Sequence, residues 1–411
     1  MKIDFFIANR LLKPGISKDR ISSPIIKIAI ISIAIGMMIM LISMATGFGL
    51  QQKIREKISA FSGHIMISNF DNNQSGITLN PISLHQDFYP KFKKVTGIKS
   101  VQAFATIGGI LKTKNDFEGI IYKGVDSLYN WSLFKPFLVR GKIPDFSSKR
   151  MNDSILISRT LLNRLRLKLH DKVPAYFIRE GSEKPQLRIF KIAGIYDTGF
   201  EDFDKSYILG QLKMVQKLYH WSDSLTGGFE VILNNFDDLD IKTREIYNET
   251  PSTLNTISIK DRFPLIFNWL KMFDFNILLI LSIIIFIAGL NMITTVLVLI
   301  LEKRNFIAIM KVLGSQNKRL QRIFLIQAAY IIGIGLLIGN FLGLGIIFLQ
   351  DKFGFIKLNP ETYYVKTAPV YLNLKNIFLL NFGVALIILF MLTIPVLIIG
   401  KISPTKVLKY D

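Results

Sequence analysis

The sequence EKRNFIAIMKVLG, residues 302–314, is a short basic segment that separates two long apolar runs. The run before it, residues 275–301, and the run after it, residues 323–350, contain no charged side chain. Each run is longer than the roughly 20 residues that an α-helix needs to cross a bilayer. A charged segment between two membrane spans lies at a membrane face, and its excess of Lys and Arg favours the cytoplasmic face. We therefore interpret residues 302–314 as a cytoplasmic connection between two spans.

The hydrophobic residues of the chain are concentrated in runs that are each long enough to cross a membrane. They make up 50% of the 411 residues, and the charge-free runs lie at about 28–50, 275–301, 323–350 and 376–400. Buried helices of a soluble core would show a polar face, which these runs lack. The first run starts too far from the N-terminus, and is too long, to be the apolar part of a signal peptide. We predict four transmembrane helices.

The short segments beside the spans indicate the orientation of the chain. Residues 1–27, 302–322 and 401–411 each carry more Lys and Arg than Asp and Glu. Short basic segments stay in the cytoplasm, whereas a long domain is translocated regardless of its charge. Both termini are therefore expected in the cytoplasm, and residues 51–268 outside. The net charge of +21 is dispersed and partly faces anionic lipid, so it does not indicate nucleic-acid binding.

The segment outside the membrane has the pattern of a mixed α/β domain. Its runs of β-branched residues predict strands at 101–112 and 119–124, and a hairpin of 173–179 with 186–195. Apolar residues at helical spacing predict a helix at 155–169 and a shorter one at 241–247. The chain contains no Cys, so this domain has to be stable without disulfide bonds.

No catalytic, metal-binding or cofactor-binding residues are identified in the sequence. There is no G-x-x-x-x-G-K-[ST] motif, so the chain has no P-loop of its own for ATP phosphates. The histidines are scattered, with no pair at the i,i+4 spacing that places two metal ligands on one helix face. We expect a protein that is not itself an enzyme and that holds no cofactor.

Three glycines in the third span recur every four residues. Gly335, Gly339 and Gly343 lie on one helix face, where small residues let another helix backbone approach closely. The partner helix belongs either to the same chain or to a second copy, and the sequence does not separate these alternatives. Pro395 is expected to kink the last span.

Methionines form a stripe on one face of the first span. Flexible thioether side chains can line an adaptable cavity for acyl chains, or they can fill an ordinary packed helix interface. Both interpretations remain open for this stripe, which consists of Met37, Met40 and Met44 with Phe48 nearby.

Several segments resemble one known family in both order and spacing. They are FIANRLL at 6–12, GFGLQQKIREKISAFSGHIMI at 47–67, IAGIYDTGFEDFD at 192–204, EKRNFIAIMKVLG at 302–314, YYVKTAPVYL at 363–372 and ISPTKVLKY at 402–410. Together they resemble ABC-transporter permeases of the MacB/FtsX/LolCDE class, above all the lipoprotein-releasing permeases LolC and LolE. The expected fold is membrane α-helical, with four transmembrane helices and a large α+β periplasmic domain between the first and second helices.

The resemblance implies a domain plan in which residues 1–27 are a cytoplasmic amphipathic segment and 28–50 are the first span. Residues 51–268 are then a MacB-like periplasmic domain with helical stalks, and 269–411 an FtsX-like permease domain. The implied location is the inner membrane. The implied partners are an ABC ATPase dimer that binds ATP, a second permease copy, a lipoprotein substrate and a periplasmic lipoprotein carrier.

The resemblance also implies that residues 302–314 couple the spans to the ATPase. The matching positions are Glu302, Lys303, Arg304, Ile307, Ile309, Lys311 and Gly314. The hairpin tip near residues 179–186 is shorter than the hook with which LolC recruits its carrier, so recruitment by this chain is left open. The alternatives are a MacB-like exporter or an FtsX-like regulator of the same class, or a membrane receptor that transports nothing.

Overall fold

The computed structural model describes residues 4–7, 22–72, 76–146, 151–178 and 184–401. The chain forms two compact units. The membrane unit consists of Met1–Gln51, Leu270–Lys357 and Thr367–Asp411, and the exported unit consists of Gln52–Trp269 with Leu358–Lys366. Most of the predicted N-terminal segment 1–27, the hairpin tip at 179–183 and the tail 402–410 lie outside the described residues.

Four helices of the described chain are long and apolar enough to cross a membrane, as predicted. We name them TM1 (Ser22–Ser62), TM2 (Pro264–Glu302), TM3 (Asn317–Phe353) and TM4 (Leu374–Met391). TM4 continues as a short helix, Thr393–Val396, and a 3₁₀ turn, Leu397–Lys401. The break follows Met391 because Pro395 has no N–H to donate to the carbonyl four residues earlier.

TM1 packs closely against TM3 within the same chain. A Cβ added to Gly339 would lie 2.6 Å from the carbonyl oxygen of Ala34, and one added to Gly335 would lie 2.8 Å from the Cβ of Ile33. The corresponding distance from Gly343 to a Leu41 side-chain carbon is 3.0 Å. The structure therefore places the predicted glycine stripe at an intramolecular helix contact.

Amide side chains connect the other helices of the membrane unit. Asn340 of TM3 and Asn381 of TM4 exchange hydrogen bonds of 2.6 and 3.0 Å. Asn291 of TM2 donates to the hydroxyl of Ser32 in TM1 at 2.7 Å. Polar groups within a span need such partners because lipid offers none.

The exported unit is built on one large, mostly antiparallel sheet. Among the described residues its strand order is β12-β1-β11-β3-β4-β9-β6-β8-β5, with β7 paired to β3 and β8. The pairs β4–β9 and β6–β8 are parallel. The strands are β1 Ile65–Ser68, β2 Ile82–Ser83, β3 Ile98–Lys112, β4 Phe117–Val125, β5 Leu138–Gly141, β6 Ser154–Ser158, β7 Lys172–Phe177, β8 Gln186–Tyr196, β9 Tyr207–Gln211, β10 Leu225–Thr226, β11 Gly228–Leu233 and β12 Asn255–Ser258. The short strands β2 and β10 pair separately.

Helices of the exported unit connect and cover these strands. They are α1 Arg159–Arg164, α2 Glu201–Asp204, α3 Leu212–Tyr219, α4 Leu239–Glu249 and α5 Ile259–Arg262. The α+β class is as predicted, and the predicted hairpin is confirmed as the antiparallel pair β7–β8.

The predicted helix at 155–169 is wrong at both ends, since only Arg159–Arg164 are helical. Residues 154–158 form strand β6, which lies between β8 and β9, and Ile155, Leu156 and Ile157 are fully buried there. The hydroxyl of Ser158 then accepts a hydrogen bond from the backbone of Leu161 and starts the short helix α1. The apolar spacing was compatible with a helix, but burial on both faces of a sheet determines the structure here.

We predict that Gly339→Ala destabilises the membrane unit by about 1–3 kcal/mol, because the new Cβ meets the TM1 backbone. Gly345→Ala is the matched control: a Cβ at Gly345 has nothing within 4 Å, and Ala favours a helix by up to about 1 kcal/mol over Gly. Thermal unfolding of the full chain in detergent measures both effects. Equal midpoints for the two variants would contradict the close TM1–TM3 contact.

Candidate functional site: the coupling helix and the stalk socket

The basic segment between TM2 and TM3 forms a separate short helix. We call this helix, Arg304–Val312, the coupling helix. A single residue, Lys303, separates it from the end of TM2 and is its N-cap. At its other end Gly314 has a φ of +88°, the amide of Gly314 donates to Lys311, and the amide of Ser315 donates to Met310. These two bonds form a Schellman cap, which requires a left-handed residue at this position. The structure thus places Gly314 where the chain turns from the coupling helix towards TM3.

The two faces of the coupling helix have different environments. Ile307 and Ala308 are fully buried, and Ile307 belongs to the hydrophobic core of the membrane unit. Ile309 and Val312 of the helix and its C-cap residue Leu313 lie together on an exposed side, where they are 50%, 65% and 76% exposed. Three large apolar side chains on one open face of a short charged helix form a surface suited to a groove in another protein.

Lys311 connects the coupling helix to the end of the last span. Its ammonium group donates to the carbonyl oxygens of Ile399 at 2.7 Å and Gly400 at 3.4 Å. Partial burial lowers the pKa of Lys311. Of the residues predicted to couple, Ile307 and Lys311 therefore hold the helix within the chain, while Arg304 and Ile309 are exposed and Glu302 and Lys303 are half-buried.

The methionine stripe of TM1 lies inside the membrane unit. Met37, Met40 and Met44 are at most 5% exposed and belong to the same hydrophobic cluster as the TM3 core, and Phe48 packs against it. In this single chain the methionines fill a helix interface. The acyl-chain cavity stays a prediction.

The outer end of TM1 is held in a socket of the exported unit. The ring of Phe61 lies within 4.5–6.0 Å, centroid to centroid, of the rings of Phe203, Phe134, Tyr196 and Tyr207. The hydroxyl of Tyr129 donates to the carbonyl oxygen of Ala60 at 3.1 Å, and the ammonium group of Lys123 donates to that of Phe61. We call these residues the stalk socket.

A buried ion pair supports the stalk socket. Lys123 lies 2.6 Å from a carboxylate oxygen of Glu230, and both side chains are only 2% exposed. Gln102 donates to the other oxygen of Glu230 at 3.1 Å. Burial lowers the pKa of Lys123, and the adjacent Glu230 carboxylate opposes that shift. The ammonium group therefore links a carbonyl in the last turn of TM1 to two central strands, β4 and β11.

Sequence reasoning missed the stalk socket, although the sequence contained a signal. Lys123 and Glu230 interrupt the apolar patterns GIIYKGV and GFEVIL, which are otherwise typical of buried strands. Two opposite charges in buried strands indicate an ion pair, because an unpaired buried charge is very costly. Which strands are neighbours is visible only in the structure.

Family models match most of the chain. The MacB-like periplasmic core domain matches residues 28–245, and the FtsX-like permease C-terminal domain matches residues 278–404. Together they define an ABC-transporter permease with an exported domain. The chain belongs to the MacB/FtsX/LolCDE class of these permeases and is a multi-pass membrane protein.

Relatives similar to this chain match it over nearly their whole length. The "Lipoprotein-releasing system transmembrane protein LolC" of Buchnera aphidicola subsp. Schizaphis graminum is 22% identical over 93% of both chains. The protein of the same description from Haemophilus influenzae is 22% identical over 100% of this chain and 99% of its own. The solved periplasmic region of MacB from Actinobacillus actinomycetemcomitans matches with 17% identity and a TM-score of 0.33, covering 50% of this chain and 94% of that one.

We predict that Lys123→Met destabilises the exported unit by about 3–5 kcal/mol, because it leaves the buried Glu230 carboxylate without its counter-ion. The matched control is Lys205→Met, which removes a pair with Glu201 whose side chains are 40% and 45% exposed. That loss should be below about 1 kcal/mol. Denaturant unfolding of the full chain compares the two, and similar losses would argue against the ion pair as the support of the socket.

We predict that Gly314→Val weakens the Schellman cap, because a β-branched residue is strained at a φ of +88°. Amide exchange at Ser315 should accelerate by about 5–30-fold, as expected for a loss of about 1–2 kcal/mol. Gly314→Asn is the control, since Asn tolerates the left-handed region. Unchanged exchange in the Val variant would show that the cap does not order this turn.

Proposed function

We propose that this chain is a permease subunit of an ATP-driven transporter that releases lipoproteins from the inner membrane for transfer to the outer membrane. The main support for this proposal is the exposed apolar face of the coupling helix, which is suited to bind another protein. The sequence contains no P-loop motif, so the ATPase is expected to be that other protein. Full-length similarity to proteins described as lipoprotein-releasing supports the choice of substrate. ATP is bound by a partner ABC ATPase dimer, which docks on this helix from the cytoplasm, where both termini of the chain also lie.

A force that the ATPase exerts on the coupling helix is transmitted to the spans through three connections. Lys303 joins the helix to TM2 without a loop, the Schellman cap at Gly314 leads to TM3, and Lys311 donates to the carbonyls that end the last span. Ile307 fixes the helix in the core between these connections. A rigid, multiply attached helix moves its neighbours instead of bending when the ATPase dimer closes.

Movement then reaches the periplasmic side through the helices themselves. TM1 is continuous from Ser22 to Ser62 and ends in the stalk socket, and TM2 begins at Pro264. Lipoprotein release needs such work because each buried acyl CH₂ contributes about 0.8 kcal/mol to membrane anchoring. In the proposed transporter a second permease copy completes the acyl-chain cavity, the methionine stripe becomes accessible only as the helices move, and a periplasmic carrier accepts the released lipoprotein.

We predict that Leu313→Asp abolishes ATP-dependent release, because a carboxylate in the apolar contact prevents docking of the ATPase. Gln316→Asp, which places the same charge on an exposed residue beyond the cap, is the control and should retain release within about twofold. The measurement uses proteoliposomes with the partner subunits and a purified triacylated lipoprotein. Normal release by the Leu313→Asp variant would refute the docking surface.

Depletion of the chain in cells tests the substrate independently. Lipoproteins should accumulate in the inner membrane. Correctly sorted lipoproteins together with altered resistance to drugs would instead favour a MacB-like exporter of the same class.

A further inference from the structure

The connection between TM3 and TM4 folds into a small hairpin outside the membrane core. The amide of Leu358 donates to Lys366 at 3.0 Å, and the amide of Ala368 donates to Ile356 at 3.0 Å. Residues Leu358–Lys366 of this outer hairpin belong to the compact exported unit. Two spans are thus covalently attached to a segment that packs with the exported domain.

Tyr364 of the outer hairpin contacts both stalks, which are the parts of TM1 and TM2 that belong to the exported unit, residues 52–62 and 264–269. The ammonium group of Lys57, in the outer part of TM1, donates to its carbonyl oxygen at 2.5 Å. The ring of Tyr364 stacks on Phe200 with centroids 4.7 Å apart and meets Trp269, in the outer part of TM2, at 5.9 Å. One residue therefore touches both stalks and the turn that precedes α2.

Backbone conformation fixes Tyr364 in this position. Its φ of +57° is in the left-handed region, which a bulky non-glycine residue rarely adopts. On the facing turn Gly199 has a φ of +63°, and a Cβ there would lie 3.2 Å from the ammonium nitrogen of Lys57. The two unusual conformations bring the turn, the lysine and the tyrosine carbonyl together.

An ion pair holds the other side of the outer hairpin. Lys366 lies 2.7 Å from a carboxylate oxygen of Asp197, which also lies 3.1 Å from Arg159. The Asp197 side chain is 14% exposed, so this pair is less screened than a fully solvated one. The turn carrying Asp197 and Phe200 continues to Phe203, which stacks on Phe61 in the stalk socket at 4.5 Å.

We propose that the outer hairpin is a clasp that holds the two stalks against the turn at residues 197–204, and that Tyr364 and Lys57 are positioning residues whose separation accompanies each transport cycle. The proposal rests on the proposed function, because it assigns these contacts to the relay of helix movement. The clasp is made through a single carbonyl, two ring contacts and one ion pair, which break separately at low cost, whereas Phe61, Phe134 and Tyr196 of the stalk socket are buried. Movement of TM3 or TM4 therefore opens the clasp before it disturbs the socket.

Reversible cross-linking tests the clasp, because the chain has no native cysteine. The variant Asp197→Cys with Lys366→Cys leaves the Tyr364 stack and the hydrogen bond from Lys57 in place, and it is linked with a short bifunctional thiol reagent that a reductant cleaves. Linking should be several-fold lower when ADP and vanadate trap the partner ATPase than without nucleotide. The linked transporter should lose release by about tenfold or more and recover it on reduction.

The control pair is Lys94→Cys with Glu249→Cys, which replaces a surface ion pair of 3.1 Å in the same unit and away from the clasp. The yield of this link should be the same in both nucleotide states, and the link should not reduce lipoprotein release. Tyr364→Phe keeps the ring and should be active, whereas Tyr364→Asn tolerates the backbone but removes the stack and should uncouple ATP hydrolysis from release.

Equal linking of the clasp pair in the two nucleotide states, or undiminished release by the linked protein, would each overturn the clasp. If the chain without substitutions releases no lipoprotein, the proposed function fails instead. The clasp is then judged by the nucleotide dependence of linking and by ATP hydrolysis alone.

Discussion

The carbonyl groups at the end of a buried helix have to find donors, and this constraint shapes the exported unit. TM1 ends inside the unit, where water does not reach its last carbonyls. Lys123 and Tyr129 supply the missing donors to Phe61 and Ala60, and Glu230 makes a buried ammonium group possible. The central strands β4 and β11 are thereby tied to the helix end. The aromatic socket, the turn at 197–204 and the clasp are all arranged around this point.

Much of the membrane unit could be predicted from the sequence, because its helices depend on residues that are close together in the chain. A charge-free run of sufficient length forms a helix in lipid whatever its neighbours, and the break near Pro395 follows from a missing N–H. Gly314 is similar, since a glycine after a basic amphipathic stretch predicts a cap. The partner of the glycine stripe was not predictable, because a second copy would satisfy the same spacing.

The sequence was less informative where contacts between distant segments decide the structure. Residues 155–158 have helical spacing yet form a strand, since two neighbouring strands cover them. Lys311 is a basic residue of the type expected at an exposed contact, yet its ammonium group donates to the carbonyls of Ile399 and Gly400. The segments 192–204 and 363–372 are two separate motifs in the sequence. Only the fold shows that Tyr364 and Phe200 stack on each other.

The outer end of TM1, residues 52–62, is an unbroken helical segment. The number of residues between two positions therefore fixes the angle between their side chains. Lys57 and Phe61 are one turn apart and face the same side, the first towards the clasp and the second into the aromatic socket. A single residue added between Lys57 and Phe61 would rotate one relative to the other by about 100°, so the two side chains could no longer reach the clasp and the socket together. The interval between Lys57 and Phe61 is therefore set by two groups of partners that the same helix has to reach at once.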